Sequence, residues 1–206
     1  ADIFVIDDNS PDGTGLLLDQ LAQQNPKLLV KHRPGKLGVG SAHSEAIKYA
    51  CEKEYDILIT MDADFSHDPK VIDSMIKGLE SNDFVIGSRF VEGGKLDYSG
   101  FRRFISLGAN WLARYALGIR CRETTTSFRG FRKSLLQKLP IQQVKAEGYS
   151  FFLECTYLVC RTTQKVQEIP IHFQDRRYGQ SKISQAEIYK GFLTLFRLCF
   201  QRLFHL

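Results

Sequence analysis

Apolar residues form short runs in the first half of the chain, separated by stretches with apolar positions at helical spacing. Runs such as "DIFVID" (Asp2–Asp7) and "DILITM" (Asp56–Met61) have the length of single strands. Near-continuous apolar strands that alternate with helices predict an α/β fold with a mostly parallel sheet covered by helices on both faces. The pattern also predicts strands at Leu28–His32 and Asp83–Ser88, and helices at Thr14–Gln24, Gly38–Lys53 and Pro69–Leu79.

Beyond Arg89 the alternation is less regular. The predicted elements there are a loop at Val91–Gly100, helices at Arg102–Leu117 and Tyr149–Arg161, a strand at Val166–Phe173, a basic loop at Gln174–Ser184 and a C-terminal amphipathic helix. In that last helix one narrow polar stripe holds Lys190, Arg197, Gln201 and His205. A broad apolar face with a basic stripe suits a membrane interface, and the alternative is a helix packed on the core or on a partner.

Composition narrows the class of protein. No internal repeat or linker interrupts residues 1–206, which predicts one domain. The net charge of +5 favours phosphate-bearing partners or an anionic membrane surface. The five cysteines include no C-x-x-C pair, which argues against a disulfide framework or zinc knuckle and predicts a reducing compartment. Without a signal-peptide pattern or an apolar run of membrane-spanning length, the catalytic part is expected to be cytosolic.

Three predicted strands end in polar residues: Asp7-Asp8, Asp62-x-Asp64 and Ser88-Arg89. Ligands bind at the carboxyl ends of strands in an open parallel sheet, so these ends predict one site. Paired carboxylates such as Asp62 and Asp64 can share a hard divalent ion, Mg²⁺ or Mn²⁺. The alternative is a solvated loop whose acids cap the next helix.

Other residues near these strand ends carry weaker signals. His67 is expected to be a structural, hydrogen-bonding histidine rather than a ligand, and Asp68 to cap the helix that starts at Pro69. Asp7 and Asp8 could accept hydrogen bonds from a base or ribose. Turn chemistry explains Asp12, which follows in a Pro-Asp-Gly turn.

Phosphate binding is predicted at two kinds of position. In "RPGKLGVGSA", Gly38 precedes a helix whose amides could bind phosphate, with Arg33 and Lys36 adding charge, although the spacing matches no established phosphate loop. Guanidinium groups also suit phosphate oxygens. The candidates lie at strand ends and in loops rather than among exposed aromatics, which disfavours nucleic-acid binding. They are Arg89 after a strand, Arg102 and Arg103 at a helix start, and Arg176, Arg177 and Lys182 in the basic loop.

Taken together, the chain resembles the polyprenyl-phosphate (dolichol-phosphate) mannosyltransferases of glycosyltransferase family 2, which have the Rossmann-like GT-A fold. Eight stretches carry the resemblance, in the family's order and over nearly the whole chain. They are "VIDDNSPDGT", "KLGVGSA", "MDADFSHDP", "GSRFVEGG", "RRFISLGANWLAR", "TTSFRGFRK", "GYSFFLE" and "DRRYGQSKIS".

The resemblance implies roles for the candidate residues. Asp62 and Asp64 would bind Mg²⁺ or Mn²⁺ on the sugar-nucleotide diphosphate, and Asp8 would lie near the nucleoside. The catalytic set would be Asp64, Arg89 and Arg176, and further substrate-binding residues would be Asp7, Asp12, Lys36 and Gly38. Arg89, with Arg102 or Arg103 and Ser106, would cradle the lipid phosphate, and Arg176 and Lys182 would lie on a loop over the donor phosphates.

The implied reaction moves mannose, with inversion, from GDP-mannose to a polyprenyl or dolichyl phosphate. The enzyme would sit peripherally on the cytosolic face of the endoplasmic reticulum or the bacterial inner membrane. Its amphipathic helices would contact lipid, and a separate membrane-anchor subunit is among the implied partners. Alternatives are the same fold with UDP-glucose or another sugar nucleotide, and a non-catalytic membrane-associated homologue.

Two departures from the family pattern stand out. The family's usual first strand, with a P-x-Y-N-E type sequence that helps to bind the nucleotide, is expected to be missing from residues 1–206. The family's T-S-G-F-R corresponds to "TTSFR" here, with Ser127 in place of glycine. A serine would be strained if the backbone there has positive φ, so the loop is expected to differ.

Overall fold

The computed structural model describes residues 1–97, 100–174 and 185–204, and for residues 100–105 and 109 it describes the backbone only. Strands and helices alternate through the first half as predicted. The strands are β1 (Ile3–Asp7), β2 (Leu28–His32), β3 (Ile57–Thr60), β4 (Phe84–Ser88), β5 (Lys95–Leu96), β6 (Arg129–Arg132), β7 (Val166–Pro170) and β8 (His172–Phe173). The helices are α1 (Thr14–Gln24), α2 (Val39–Glu52), α3 (Ile72–Ser81), α4 (Gly100–Leu117), α5 (Lys133–Leu136), α6 (Ser150–Thr162) and α7 (Gln185–Leu203).

A four-stranded sheet with the order β3-β6-β4-β7 forms the centre of the molecule. Strand β7 is parallel to β4, whereas β6 runs antiparallel between β3 and β4. The pairs β1–β2 and β5–β8 are parallel and separate from it. Strand β6 was not predicted, because "RGFR" lacks an apolar run. Its Gly130 is required by close packing, since a Cβ there would lie 2.6 Å from Val85 Cγ2.

Helices cover both faces of this sheet, as predicted. Side chains alternate along β4, so that Phe84 and Ile86 face one core and Val85 the other. The first core includes residues from α2, α4, α6 and α7, and the second includes Met75 and Leu79 from α3. The layered α/β arrangement therefore follows from the period-2 pattern of a strand that is buried on both sides.

Several local predictions can be compared with the structure. A 3₁₀ turn at Pro69–Val71 precedes α3, and Asp68 caps it by accepting a hydrogen bond from the Lys70 amide. The predicted strand at 166–173 is interrupted between β7 and β8. Ser127 is not among the described non-glycine residues with positive φ, so the serine is accommodated without that strain. That the loop differs from the family's loop stays a prediction. All five cysteines are free thiols.

Helix α7 packs on the protein through Thr194, Leu195 and Leu198. Arg197 of the polar stripe also faces inward, whereas Lys190 is exposed and His205 lies outside the described residues. Arg197 pairs with the buried Glu154 at 2.6 Å, and Lys190 lies 3.6 Å from Glu147. The large aromatic residues point outward instead; Phe196, for example, is 72% exposed. Within residues 1–97, 100–174 and 185–204, no helix has the length and apolar character needed to cross a membrane.

Candidate active site

The turn that follows β3 carries the two predicted metal ligands and is folded back on itself (residues 62–67, the D-x-D turn). The Asp62 amide donates to His67 Nδ1 at 3.2 Å. Asp64 Oδ1 accepts hydrogen bonds from the Ser66 amide and hydroxyl at 3.0 and 2.5 Å. Phe65 has φ of 64°, which is unusual for a bulky residue. Both aspartates are half-buried at the sheet edge, and contacts within the turn hold the backbone of Asp62 and the carboxylate of Asp64.

His67 fixes this turn to the body of the protein. The ring is buried, with Phe128 at 5.0 Å and Phe173 at 5.6 Å between centroids. Burial lowers the pKa of His67, although the charges of Asp62 and Asp64 oppose the shift. Since Nδ1 accepts from Asp62, the proton of the neutral ring lies on Nε2, which is 3.5 Å from Thr126 Oγ1. The hydrogen-bonding role predicted for His67 is confirmed.

At the end of β1, Asp8 is engaged with Arg33, which follows β2. Arg33 is buried and donates from Nε to Asp8 Oδ1 and from Nη1 to Ser41 Oγ at 2.8 Å. The Leu37 amide donates to the other oxygen of Asp8 at 3.2 Å. Gly38, at the start of α2, has φ of +89°, which favours glycine. Asp8 therefore organises the glycine-containing loop that precedes α2.

The remaining predicted residues on the two-stranded side have local roles or are exposed. Asp7 is buried, and a hydrogen bond from Ser10, with a smaller contribution from His32, holds its pKa below the ordinary value. Asp12 accepts hydrogen bonds from the amide and hydroxyl of Thr14 at the start of α1. Lys36 is exposed in the loop before α2.

Arg89 forms a buried, bidentate ion pair with Glu123. Arg89 Nε and Nη2 lie 2.7 and 2.8 Å from the two oxygens of Glu123, and Nη2 also donates to Thr125 Oγ1 at 2.8 Å. Burial acts to raise the pKa of Glu123, but the charge and hydrogen bonds of Arg89 outweigh it and hold the pKa below its ordinary value. The guanidinium also lies 5.2 Å from the ring centre of Phe173, which His67 contacts as well. Arg89 and the D-x-D turn thus meet at one aromatic ring.

A segment rich in threonine connects these parts (residues 122–127, the threonine segment). Arg129, 1% exposed, donates to the carbonyls of Thr126 and Thr124 at 2.7 and 2.9 Å. Glu168 of β7 accepts the amides of Arg122 and Glu123 at 2.8 and 3.0 Å. The segment that carries Glu123 is therefore fixed from two sides.

The other predicted acceptor residues are described to different extents. Ser106 lies in α4, half-buried, and its carbonyl accepts a hydrogen bond from Asn110 at 2.9 Å. Arg102 and Arg103 belong to the first turn of α4, where only the backbone is described. Arg176 and Lys182, like Arg177, lie outside the described residues.

The family of the chain follows from comparison with known proteins. Residues 1–140 match the model for glycosyl transferase family 2. The chain belongs to glycosyltransferase family 2. Its relatives in that family include an undecaprenyl-phosphate mannosyltransferase from Micrococcus luteus, 35% identical over 89% of this chain and 76% of the relative. A polyprenol monophosphomannose synthase from Mycolicibacterium smegmatis is 36% identical over 90% of this chain and 71% of the relative.

Solved structures of a glycosyltransferase confirm the GT-A-like fold. Glucosyl-3-phosphoglycerate synthase from Mycobacterium tuberculosis, crystallised with Mn²⁺, UDP-glucose and phosphoglyceric acid, superposes with a TM-score of 0.64 at 19% identity. The match covers 95% of this chain and 68% of that one. At this identity the likeness concerns the fold.

The D-x-D turn of this family 2 enzyme offers the kind of ligand atoms that a divalent metal ion prefers. Asp62 and Asp64 supply carboxylate oxygens, which are hard ligands of the kind that Mg²⁺ and Mn²⁺ prefer. In the described part of the chain, no group of three or more His, Cys, Asp or Glu side chains is placed to hold a metal ion. Two carboxylates fit a site whose other ligands are phosphate oxygens and water.

Sequence reasoning missed Glu123, Arg129 and Asn110. Glu123 and Arg129 flank a polar segment that looks like a solvated loop. Asn110 could have been found from spacing, because with Ala113 and Leu117 it occupies one buried face of α4 at intervals of three and four residues. A polar residue on an apolar helix face needs a buried partner, and here that partner is Thr124.

Proposed function

We propose that the chain transfers mannose from GDP-mannose to a polyprenyl or dolichyl phosphate, with inversion at the anomeric carbon. One observation carries the proposal: the D-x-D turn and the Arg89–Glu123 pair meet at Phe173. Relatives at 35% and 36% identity named as transferring mannose to polyprenol phosphates support the choice of substrates.

On the donor side, Asp62 and Asp64 would hold Mg²⁺ or Mn²⁺, which when bound neutralises the diphosphate leaving group. The contacts from Ser66 and His67 keep the turn in one conformation, so little reorganisation is needed on binding. Asp8 would lie near the nucleoside, at the loop that it organises with Arg33. Arg176 and Lys182 would add positive charge at the donor phosphates.

On the acceptor side, the nucleophile is a phosphate oxygen that is already anionic near neutral pH. The attack therefore needs no strong general base, and catalysis rests on alignment and charge stabilisation. Glu123 and Thr125 orient Arg89, which together with Arg102 or Arg103 and Ser106 would hold the acceptor phosphate. Asp64, Arg89 and Arg176 would be the catalytic residues.

The acceptor implies a membrane surface, at the cytosolic face in this proposal. Trp111 and Tyr115 on α4 are 59% and 68% exposed, and α7 exposes several aromatic residues beside them. The two helices are joined, since Arg202 donates to the Ala116 carbonyl at 2.8 Å. Exposed aromatic and apolar side chains on adjacent helices are typical of interfacial binding.

Donor binding and transfer test the proposal directly. Calorimetry with GDP-mannose and with UDP-glucose, each with and without Mn²⁺, should show metal-dependent binding of GDP-mannose. Labelled mannose should then appear on polyprenyl phosphate, and Asp62→Asn and Asp64→Asn should lower the rate by about 100-fold or more, since the metal contributes several kcal/mol. The control is Asp68→Asn, which alters only the exposed helix cap and should leave the rate unchanged.

Other outcomes contradict specific parts of the proposal. Full activity in both aspartate variants would exclude the metal site. Binding of UDP-glucose alone would replace the donor, and binding of neither would favour a non-catalytic homologue. For the membrane, Phe196→Glu should abolish co-flotation with phosphatidylglycerol vesicles, whereas Leu16→Glu on α1 should not. Equal flotation of both variants would exclude α7 as the contact.

A further inference from the structure

The Asn110 side chain joins helix α4 to the threonine segment, and none of the preceding roles includes it. Asn110 is 3% exposed, and its Oδ1 accepts the amide and the hydroxyl of Thr124 at 2.8 and 2.7 Å. Its Nδ2 donates to the Ser106 carbonyl at 2.9 Å. Because the Thr124 amide can only donate and the Ser106 carbonyl can only accept, the amide group of Asn110 fits in one orientation.

The threonine segment in turn contacts Arg89, the D-x-D turn and the end of β3. Glu123 holds Arg89, as described above, and Thr126 Oγ1 lies 3.5 Å from His67 Nε2. The Ser127 carbonyl accepts a hydrogen bond from Thr60 Oγ1, at the end of β3, at 2.8 Å. The segment is thus attached to the strand that ends in the D-x-D turn and to the residue that supports that turn.

Helix α4 carries the acceptor side of the proposed reaction. Ser106 lies one turn before Asn110, and Arg102 and Arg103 lie one turn before Ser106. On the same helix, the exposed Trp111 and Tyr115 would contact lipid. Any shift of α4 relative to the threonine segment would move the acceptor phosphate relative to the donor.

We propose that Asn110 is a positioning residue, which fixes α4 and the lipid phosphate that α4 would bind at the correct distance from the D-x-D turn. It acts through Thr124 and Ser106 and does not touch either substrate. Rates of group transfer fall steeply when reactants are displaced by about 1 Å, up to roughly 100-fold. Asn110 should therefore affect turnover with the lipid while leaving donor binding intact. The proposal rests on the proposed function.

The test compares Asn110→Ala with Asn82→Ala. Asn82 makes an analogous bond, from Nδ2 to the Gly78 carbonyl four residues earlier at 2.9 Å. It is the C-cap residue of α3 and precedes β4, whereas Arg89 follows the other end of that strand. Asn110→Ala should lower kcat for polyprenyl phosphate by about 10-fold or more. The Kd for GDP-mannose with Mn²⁺ should stay within twofold of wild type. Asn82→Ala should lower Tm without changing kcat.

Hydrogen exchange gives a readout that does not depend on activity. In Asn110→Ala, exchange should rise together in residues 122–127 and 106–117. Thr124→Val removes one of the two Thr124 bonds, and combined with Asn110→Ala it should add little to the loss in kcat. The inference is overturned if Asn110→Ala keeps wild-type kcat, or if kcat and donor affinity fall together. Failure of the wild-type chain to use polyprenyl phosphate would instead count against the proposed function.

Discussion

The four-stranded sheet and the two-stranded β1–β2 unit hold their charged residues in different ways. In the four-stranded sheet every residue of β4 is buried, and the side chains of Arg89 and Glu123 are 8% and 0% exposed. In the β1–β2 unit, α1 has no buried residue, and the Asp8 side chain that pairs with Arg33 is 26% exposed. The Arg89–Glu123 pair is therefore buried in the core, whereas the Arg33–Asp8 pair is partly exposed to solvent.

This difference separates a rigid region, which carries the D-x-D turn and Arg89, from a more adaptable region, which carries Asp8. Buried polar groups that are fully hydrogen-bonded are rigid, because leaving any partner unpaired is costly. Asp8, which is predicted to lie near the nucleoside, belongs to the region with fewer buried contacts, from which ligand-binding elements are commonly drawn. We therefore expect substitutions in the two regions to lower the free energy of unfolding by different amounts. We also expect a histidine in each region to change stability with pH in opposite directions.

The largest contrast should come from the two arginine–carboxylate pairs. Glu123→Gln leaves Arg89 buried without its countercharge, which should lower the free energy of unfolding by about 3–5 kcal/mol. Asp8→Asn removes a carboxylate that is 26% exposed, and Glu45 still lies 3.9 Å from the buried guanidinium of Arg33, so the loss should be about 1 kcal/mol. Urea unfolding of both variants measures the difference. Similar losses in the two variants would mean that the β1–β2 unit is as rigid as the sheet.

Leucine truncations should show the same contrast in packing. Leu79 on α3 is fully buried, so Leu79→Ala should cost about 2–5 kcal/mol. Leu17 on α1 is 56% exposed, and Leu17→Ala should change the free energy of unfolding by less than about 0.5 kcal/mol. Thermal unfolding of the pair gives the comparison. A large loss in Leu17→Ala would show that α1 is covered in solution.

The sequence predicted the features with local signals better than those that depend on distant partners. The α/β fold, the strand ends and the hydrogen-bonding role of His67 follow from local signals, namely an apolar run and the polar residues directly after it. The Asp62–Asp64 pair was found for the same reason. Strand β6 was missed because its four residues include two arginines and a glycine, and its place in the sheet depends on both neighbours.

The polar network behind the site could not be predicted because its partners are distant in sequence. Arg89 and Glu123 are 34 positions apart, and Arg122 and Glu168 are 46 apart. Nothing in the residues around 122–127 distinguishes a buried hydrogen-bonded segment from a solvated loop. The inward orientation of Arg197 likewise depends on Glu154 in another helix.

Buried His43, on α2, should make the protein less stable in acid. Burial lowers the pKa of His43 to about 3, from an ordinary value of 6.5. The unfolded chain therefore binds a proton that the folded chain does not, and stability present above pH 6.5 is lost as the pH falls. The slope contributed by His43 well below pH 6.5 is about 1.4 kcal/mol per pH unit. His43→Phe should flatten the dependence of unfolding on pH between 6 and 4.5; an unchanged slope would exclude His43 as its source.

His32 should act with the opposite sign and a smaller effect, because it is exposed. Hydrogen bonds to Asp19 and Asp7 raise the pKa of His32 above 6.5. Stability from the charged ring is then fully present below the unfolded pKa and is lost as the pH rises through the folded one. NMR titration of the ring should give a midpoint above 6.5, and Asp19→Asn should move it downward. If the midpoint does not respond to Asp19→Asn, the contact between His32 and Asp19 is not held in solution. The two histidines would then no longer distinguish the two regions.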